Sequence, residues 1–210
     1  METDILQTVA RYAEETMGPE GFRYVSAVVA NCKMLALEME ALEENPVTLD
    51  PEALVIAAYL HDISTVMHGY QNHHVKSAQM AVKFLGEYDL DAKRISKVEQ
   101  AILTHTNVVP VEERNADISE GQVLYDADKL GRLSGLAVVT SLIEFGARYP
   151  NQAVTGEVLA AILRHIEERF IELYQGLHTE PARSMARDKF NRSLAFLDGV
   201  IEHLSDATPV

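Results

Sequence analysis

Apolar residues recur at steps of three and four along almost the whole of this 210-residue chain, and nowhere do they settle into the alternation of a half-buried strand. That periodicity restricts the chain to an all-helical fold. Phe22, Val25, Val29, Cys32, Leu35, Met39 and Leu42 trace one stripe, and Val158, Ile162, Ile166, Phe170 and Leu177 trace another. The stop and start signals between stripes divide the chain further. Gly18-Pro19 closes a first helix over Thr3–Met17, and a second covers Phe22–Leu42. Asp50-Pro51-Glu52 offers a capping carboxylate, a proline suited to the first helical position and a first-turn acid, so a helix is predicted from Pro51 to about Val66. Further helices are expected over Val75–Tyr88, Asp91–His105, Glu120–Phe145, from Thr155 onward, and over Pro181–Leu204, with a loop at Asn107–Ile118 and a frayed tail after Ser205.

The size suits one substantial core, and the reading is a single domain over 1–210, with core helices at about 22–145 and C-terminal helices at about 155–204. Apolar residues make up 47% and charged residues 24%, the balance of an ordinary globular protein. The formal charge of -14 repels a phosphate backbone, and no basic run offsets it, so nucleic acid is not an expected partner. A small phosphorylated ligand stays compatible with that charge, because a bound divalent cation inverts the local field. Cys32 is the only cysteine, which rules out an intrachain disulfide and a cysteine-based zinc site. No segment has the length and hydropathy of a membrane span or a leader, and the expected location is the cytoplasm.

Five of the eight histidines fall between His61 and His105. His61 follows Leu54 by seven residues and Ala58 by three, which turns it toward the core, and Asp62 follows at about 100° round the helix. An acid beside a histidine on a helix this apolar is costly to bury without a partner. His105 extends the stripe Ile95, Val98, Ile102, so its ring is also directed inward. Asp126 and Asp128 interrupt Val123-Leu124-Tyr125, another stretch with core character. Imidazoles and carboxylates converging from several helices suit Mn, Fe, Co, Ni or Zn, with Mg as the alternative, as one ion or two.

Four motifs in order, Tyr59-Leu60-His61-Asp62-Ile63, His73-His74-Val75-Lys76-Ser77-Ala78, Ile102-Leu103-Thr104-His105 and Asp126-Ala127-Asp128-Lys129-Leu130, resemble the HD superfamily of metal-dependent phosphohydrolases. The resemblance extends to the end of the chain, where His178-Thr179-Glu180-Pro181-Ala182 and Arg192–Leu197 are similar to the last helix of an uncharacterised subgroup. It implies a single HD-type domain with an orthogonally packed helical core, His61 and Asp62 as metal ligands, and Asp128 as the ligand from the later helix, with Asp126 its rival. In two-metal members, histidines placed like His73, or in its stead His74, and His105 bind the second ion or line the substrate pocket. Lys129 would meet a phosphate, and the catalytic roles fall to Asp62 and Lys129.

Two positions depart from the family pattern. Tyr24 stands where the first metal-binding histidine is expected, and no histidine precedes His61, which leaves Tyr24, with His74 and Lys129, as a substrate-contacting residue. Thr65 occupies the place one turn after Asp62 where some nucleotidase members carry a glutamate. The implied activity is hydrolysis of a small phosphorylated compound, a nucleotide among the candidates, in a protein compatible with homo-oligomers. The competing readings are a ligand-binding regulatory module and an HD-type di-iron oxygenase. His165, His178 and His203 read as ordinary helix residues, Cys32, Met34 and Met39 as core, and His68 is ambiguous.

Overall fold

The structure, a computed structural model, describes residues 4–41, 49–107, 118–151 and 153–205. Among these residues there are nine helices and no strand: α1 (Ile5–Glu40), α2 (Pro51–Leu60), α3 (Thr65–His68), α4 (His73–Leu85), α5 (Ala92–Thr104), α6 (Glu120–Leu130), α7 (Gly135–Arg148), α8 (Gly156–Gly176) and α9 (Glu180–Ser205). They fall into two compact units, Met1–Asp128 and Lys129–Val210. The loop predicted at Asn107–Ile118 lies mostly outside the described residues, as do Leu42 and the tail after Ser205.

In the first unit, α1 is bent where the sequence calls for a stop. Gly18 takes φ 71, ψ 177, a conformation open to glycine because it has no Cβ, and Pro19 restarts the helix. The centre of this unit is α2, whose Ala53, Leu54, Val55, Ile56, Ala57, Ala58 and Leu60 are all buried. A helix apolar on nearly every side must be covered on every side. It packs against α1 and α5, and to a smaller extent against α4. Whatever follows Leu60 is therefore delivered into the interior.

Asp50 fixes the other end of α2 and ties three helices together. Its Oδ1 accepts from the amides of Glu52 (3.1 Å) and Ala53 (3.0 Å), its Oδ2 accepts from Arg94 Nε of α5 (2.9 Å), and its own amide donates to Glu120 Oε1 of α6 (2.9 Å). Partial burial pushes the Asp50 carboxyl up, but the Ala53 amide, the Arg94 hydrogen bond and charge, and Lys97 outweigh it, and its pKa lies below the ordinary value. A depressed carboxylate contributes stability that is present above its unfolded pKa and is lost as pH falls through the folded one. Asp50→Ala is expected to cost about 2 kcal/mol, as a helix cap and a partly buried ion pair go together. In thermal melts the wild type should lose its advantage over the variant as pH drops below about 4. An equal gap at pH 7 and pH 2.5 would contradict the role of the ionised carboxylate.

Two predicted helices are shorter than the sequence implied. The helix expected to reach Val66 stops at Leu60, because the chain tightens into bonds from Ile63 N to Leu60 O (3.2 Å) and from Thr65 N to Asp62 O (2.9 Å). The Thr65 hydroxyl also bonds to the Asp62 carbonyl (2.7 Å), the local competition by which Ser and Thr draw backbone away from a helix. The helix expected over Glu120–Phe145 is likewise interrupted between Leu130 and Gly135. Gly131 stands at the break, and Ser134 is extended (φ -142, ψ 159) as the cap of α7.

In the second unit α8 and α9 pack along their length, with Leu163, Ile166, Phe170 and Leu173 buried on one and Ala182, Ala186, Phe190 and Leu197 on the other. Tyr174 and Phe190 stack with ring centroids 4.2 Å apart. Among the described residues, no single helix is long and apolar enough to cross a membrane. Cys32 and Met39 are core residues as expected, whereas Met34 is 44% exposed on the outer side of α1.

Candidate metal centre

The early end of α2 has a chemical consequence. His61 is the C-cap residue of α2, and His105 is the C-cap residue of α5. Two helix ends, each carrying a partial negative charge from unpaired carbonyls, are thus placed beside the same set of side chains, which favours a cation there. The third histidine comes from the start of α4, where Asn72 in the left-handed region (φ 55) turns the chain into the helix. Ser64 and Ser77 hold that turn: Ser64 Oγ donates to the His73 carbonyl (3.1 Å), and Ser77 Oγ donates to Ser64 Oγ (3.0 Å).

Each of the three imidazoles is oriented in the same way. Nδ1 of His61 lies 2.8 Å from the Ala58 carbonyl, Nδ1 of His73 lies 2.8 Å from the Tyr70 carbonyl, and Nδ1 of His105 lies 2.6 Å from the Ile102 carbonyl. A carbonyl oxygen only accepts, so Nδ1 carries the proton in all three rings and Nε2 carries the lone pair. This is the outer-partner arrangement that fixes the tautomer of a metal-binding histidine.

The donors converge. One ligand atom each from His61, Asp62 and His105 lies within 4.8 Å of the others, and all three residues are buried. The His105 ring is 5.1 Å from that of His61 and 5.3 Å from that of His73. Asp62 spans two of the histidines, with Oδ2 3.6 Å from His61 Nε2 and Oδ1 3.3 Å from His73 Nε2. Despite that proximity, His61 Nε2 and Asp62 Oδ1 are buried without a hydrogen-bond partner. Acceptors facing acceptors in the interior are costly unless a cation lies between them. Two donors on one ion with bonds near 2.0–2.1 Å stand about 3.3 Å apart, so the observed spacing suits a first-row cation. Nitrogen donors in this number favour Zn, Ni, Co or Fe over Mg.

The remaining predicted residues surround this cluster or lie apart from it. Asp128, on α6, is 2% exposed and accepts a hydrogen bond at Oδ1 from the Tyr24 hydroxyl of α1. The Tyr24 ring is half-buried, with its centroid 6.3 Å from that of His61. Asp126 is fully buried, and two residues before Asp128 on a helix its side chain leaves about 200° away. His74 is half-buried and edge-on to His73 at 5.7 Å, so of the two it is His73 that reaches Asp62. Lys129 is half-buried in the last turn of α6, and His68 is exposed. Burial pushes the Cys32 thiol far above its ordinary range, and the Asp128 and Asp126 carboxylates push it further, which keeps it an inert core group. Sequence reasoning missed Asn31, whose Nδ2 donates to the Ala127 carbonyl (2.9 Å) and holds the turn carrying Asp128. Its only signal was an amide beside the apolar stripe.

Helices delivering a His-Asp pair, two further histidines and a later aspartate define a metal-site class of helical protein, and comparison with known families gives it a name. The HD domain family model matches residues 25–133, and the chain belongs to that family. The match begins one residue after Tyr24. Among solved structures, an HD-superfamily hydrolase from Bacillus thuringiensis is similar with TM-score 0.68 and 14% identity, covering 99% of this chain and 100% of that one. The Lin1889 protein of Listeria innocua is similar with TM-score 0.68 and 15% identity over 98% of each chain. Bacillus subtilis YpgQ in complex with ADP is similar with TM-score 0.65 and 15% identity, covering 94% of this chain and 96% of that one. These likenesses are of fold. No curated protein matches the sequence.

Proposed function

We propose that this chain is a metal-dependent phosphohydrolase acting on a small phosphorylated compound, with nucleotides the first class to test. The observation that carries the reading is the buried pair His61 Nε2 and Asp62 Oδ1, left without hydrogen bonds among converging imidazoles. His61, Asp62, His105 and His73 would hold the ion, with Asp128 as the further ligand that the family resemblance implies. Once bound, a divalent ion supplies Lewis-acid polarisation of a phosphoryl oxygen and activates water. Support for a nucleotide comes from the fold shared with YpgQ, whose structure contains ADP.

The protein's own groups have separable roles. The carbonyls of Ala58, Tyr70 and Ile102 orient the three rings, and His61, Asp62 and His105 are buried while His73 stands half-buried at the edge. Lys129 carries N–H donors and a positive charge, which suits a phosphate oxygen and is unsuited to a cation. Lys129→Ala is therefore expected to raise KM for a phosphorylated substrate by about tenfold, in line with the loss of a charge-assisted hydrogen bond, with metal content unchanged. Loss of metal with KM unchanged would contradict this role.

Phosphate release from nucleotides and small phosphomonoesters, each assayed with Mn, Co, Ni, Zn and Mg, tests the reading. The expected outcome is release with at least one transition metal and its suppression by a chelator. Tyr24, in place of the first family histidine, is the one observation that favours a regulatory module instead. A protein that binds metal and nucleotide yet releases no phosphate under any of these conditions would establish that alternative.

A further inference from the structure

The stretch that leads from Asp62 to His73 carries much of the exposed apolar surface of its unit. Among the described residues of the first unit, six large apolar side chains are exposed: Met34 and Leu37 on α1, and Val66, Met67, Tyr70 and Val75 on this stretch and the first turn of α4. Apolar side chains gathered beside a few polar donors are the usual lining of a ligand site. We propose that Tyr70 is the stacking platform for the flat aromatic end of the substrate, so that the phosphorylated compound is a nucleoside phosphate whose base lies on the phenol ring. This rests on the phosphohydrolase reading above and adds to it the residue that selects for a base.

Tyr70 is fixed relative to the centre. Its carbonyl accepts from the amide of His73 (3.3 Å) and lies 2.8 Å from His73 Nδ1, so one oxygen holds both the backbone and the imidazole of that histidine. The chain before it is tied as well: Gly69 N bonds to Thr65 O (2.9 Å), His68 N to Ser64 O (2.9 Å) and Thr65 N to Asp62 O (2.9 Å). Gly69 at φ 64 and Asn72 at φ 55 turn the backbone on either side of the ring. A tyrosine has only two side-chain torsions, so a backbone held in this way leaves little to order when a ligand arrives.

The ring is open where a base needs it. Tyr70 is 69% exposed, and its contact with His73 is edge-to-face, with centroids 5.8 Å apart and planes at 74°, an arrangement that covers at most one face of the phenol. His73 Nε2 in turn stands 3.3 Å from Asp62 Oδ1. The aromatic face is therefore one imidazole away from the donor atoms, the order of separation that a ribose sets between a phosphate and a base. A phosphate drawn to a cation at the centre leaves the far end of a nucleotide over Tyr70, whereas a sugar phosphate leaves the platform empty. Every base has a π face, so such a platform selects for a base without specifying which one.

The chain contains no tryptophan, so Tyr70→Trp places a single indole at the platform in an otherwise intact protein. In the presence of zinc, ADP should quench the indole emission saturably, and ribose 5-phosphate should not. Calorimetric titration gives a second arm: Tyr70→Ala should weaken ADP by about tenfold relative to ribose 5-phosphate, the size expected for one lost base stack, and Tyr70→Phe, which keeps the face, should restore it. No quenching at ADP concentrations that saturate the protein overturns the proposal, as does a wild type that binds no ADP. Equal weakening of ADP and ribose 5-phosphate in Tyr70→Ala overturns it too, because a merely structural tyrosine disturbs both ligands alike. None of these results bears on whether phosphate is released, which tests the hydrolase reading separately. Quenching by ADP in a protein that releases phosphate from no substrate would overturn that reading and uphold the platform.

Discussion

Asp62→Asn is expected to abolish metal binding and at the same time to leave the metal-free protein as stable as wild type, or more so. The two halves have one cause. Asp62 is 3% exposed, and its Oδ1 has no hydrogen bond, so without an ion the carboxylate is a buried charge beside lone-pair nitrogens. Removing an uncompensated buried charge while keeping its volume relieves a desolvation cost. With saturating metal the order reverses. At a concentration 100 times Kd, ligation stabilises the folded wild type by about 2.7 kcal/mol, and the variant gains nothing. His61→Ala should lose metal as completely, by about a hundredfold or more in affinity, and keep its helical circular dichroism, because the apolar faces of α2 already specify its packing. Thermal melts with and without zinc read both effects. A metal-free Asp62→Asn that melts well below metal-free wild type would mean the carboxylate is a structural residue.

A second large effect is expected from Gly121→Val, through sterics alone. Gly121 is buried on α6 where that helix meets α5: an added Cβ would overlap Thr104 Oγ1 and stand 3.2 Å from Thr104 Cβ and 3.3 Å from the Ala101 carbonyl. Thr104 Oγ1 is itself bonded to the Gln100 carbonyl (2.7 Å), and backbone cannot rotate away. The helices must separate. Overpacking of this kind costs about 1–3 kcal/mol, more for a branched side chain, and Thr104 immediately precedes His105. The variant should therefore melt several degrees lower and bind zinc or cobalt more weakly, whereas Gly199→Ala on α9, with open space at its Cβ, should do neither. Equal stability of Gly121→Val and wild type would contradict the close approach of α5 and α6.

What could be read from residues alone was set by local chemistry. The stop at Gly18-Pro19, the Asp50 cap, the helix start at Thr155 and the inward stripe of α5 all depend on groups within a few residues of one another, and the structure has them. The buried face of α8, in contrast, runs through Ala160, Leu163, Ile166, Phe170 and Leu173 and leaves Val158 and Ile162 half-buried. His61, Asp62 and His105 were legible for the same reason, as polar groups on apolar stripes. The early end of α2 was not, since Ile63 and Val66 continue an apolar pattern and the tightening is made by backbone bonds and the Thr65 hydroxyl. Nor was the common orientation of the three imidazoles, because any residue three positions earlier can supply a carbonyl. The bond from Tyr24 to Asp128 joins residues 104 positions apart, and no local pattern announces it.

The central claim, a transition-metal centre built on His61 and Asp62, is tested most directly by elemental analysis of the protein purified without added metal or chelator, beside the Asp62→Asn variant prepared in the same way. The wild type should carry about one equivalent of Zn, Ni, Co or Fe per chain, and the variant close to none. Equal metal in both proteins, or none in the wild type even after dialysis against each of these ions, would contradict it.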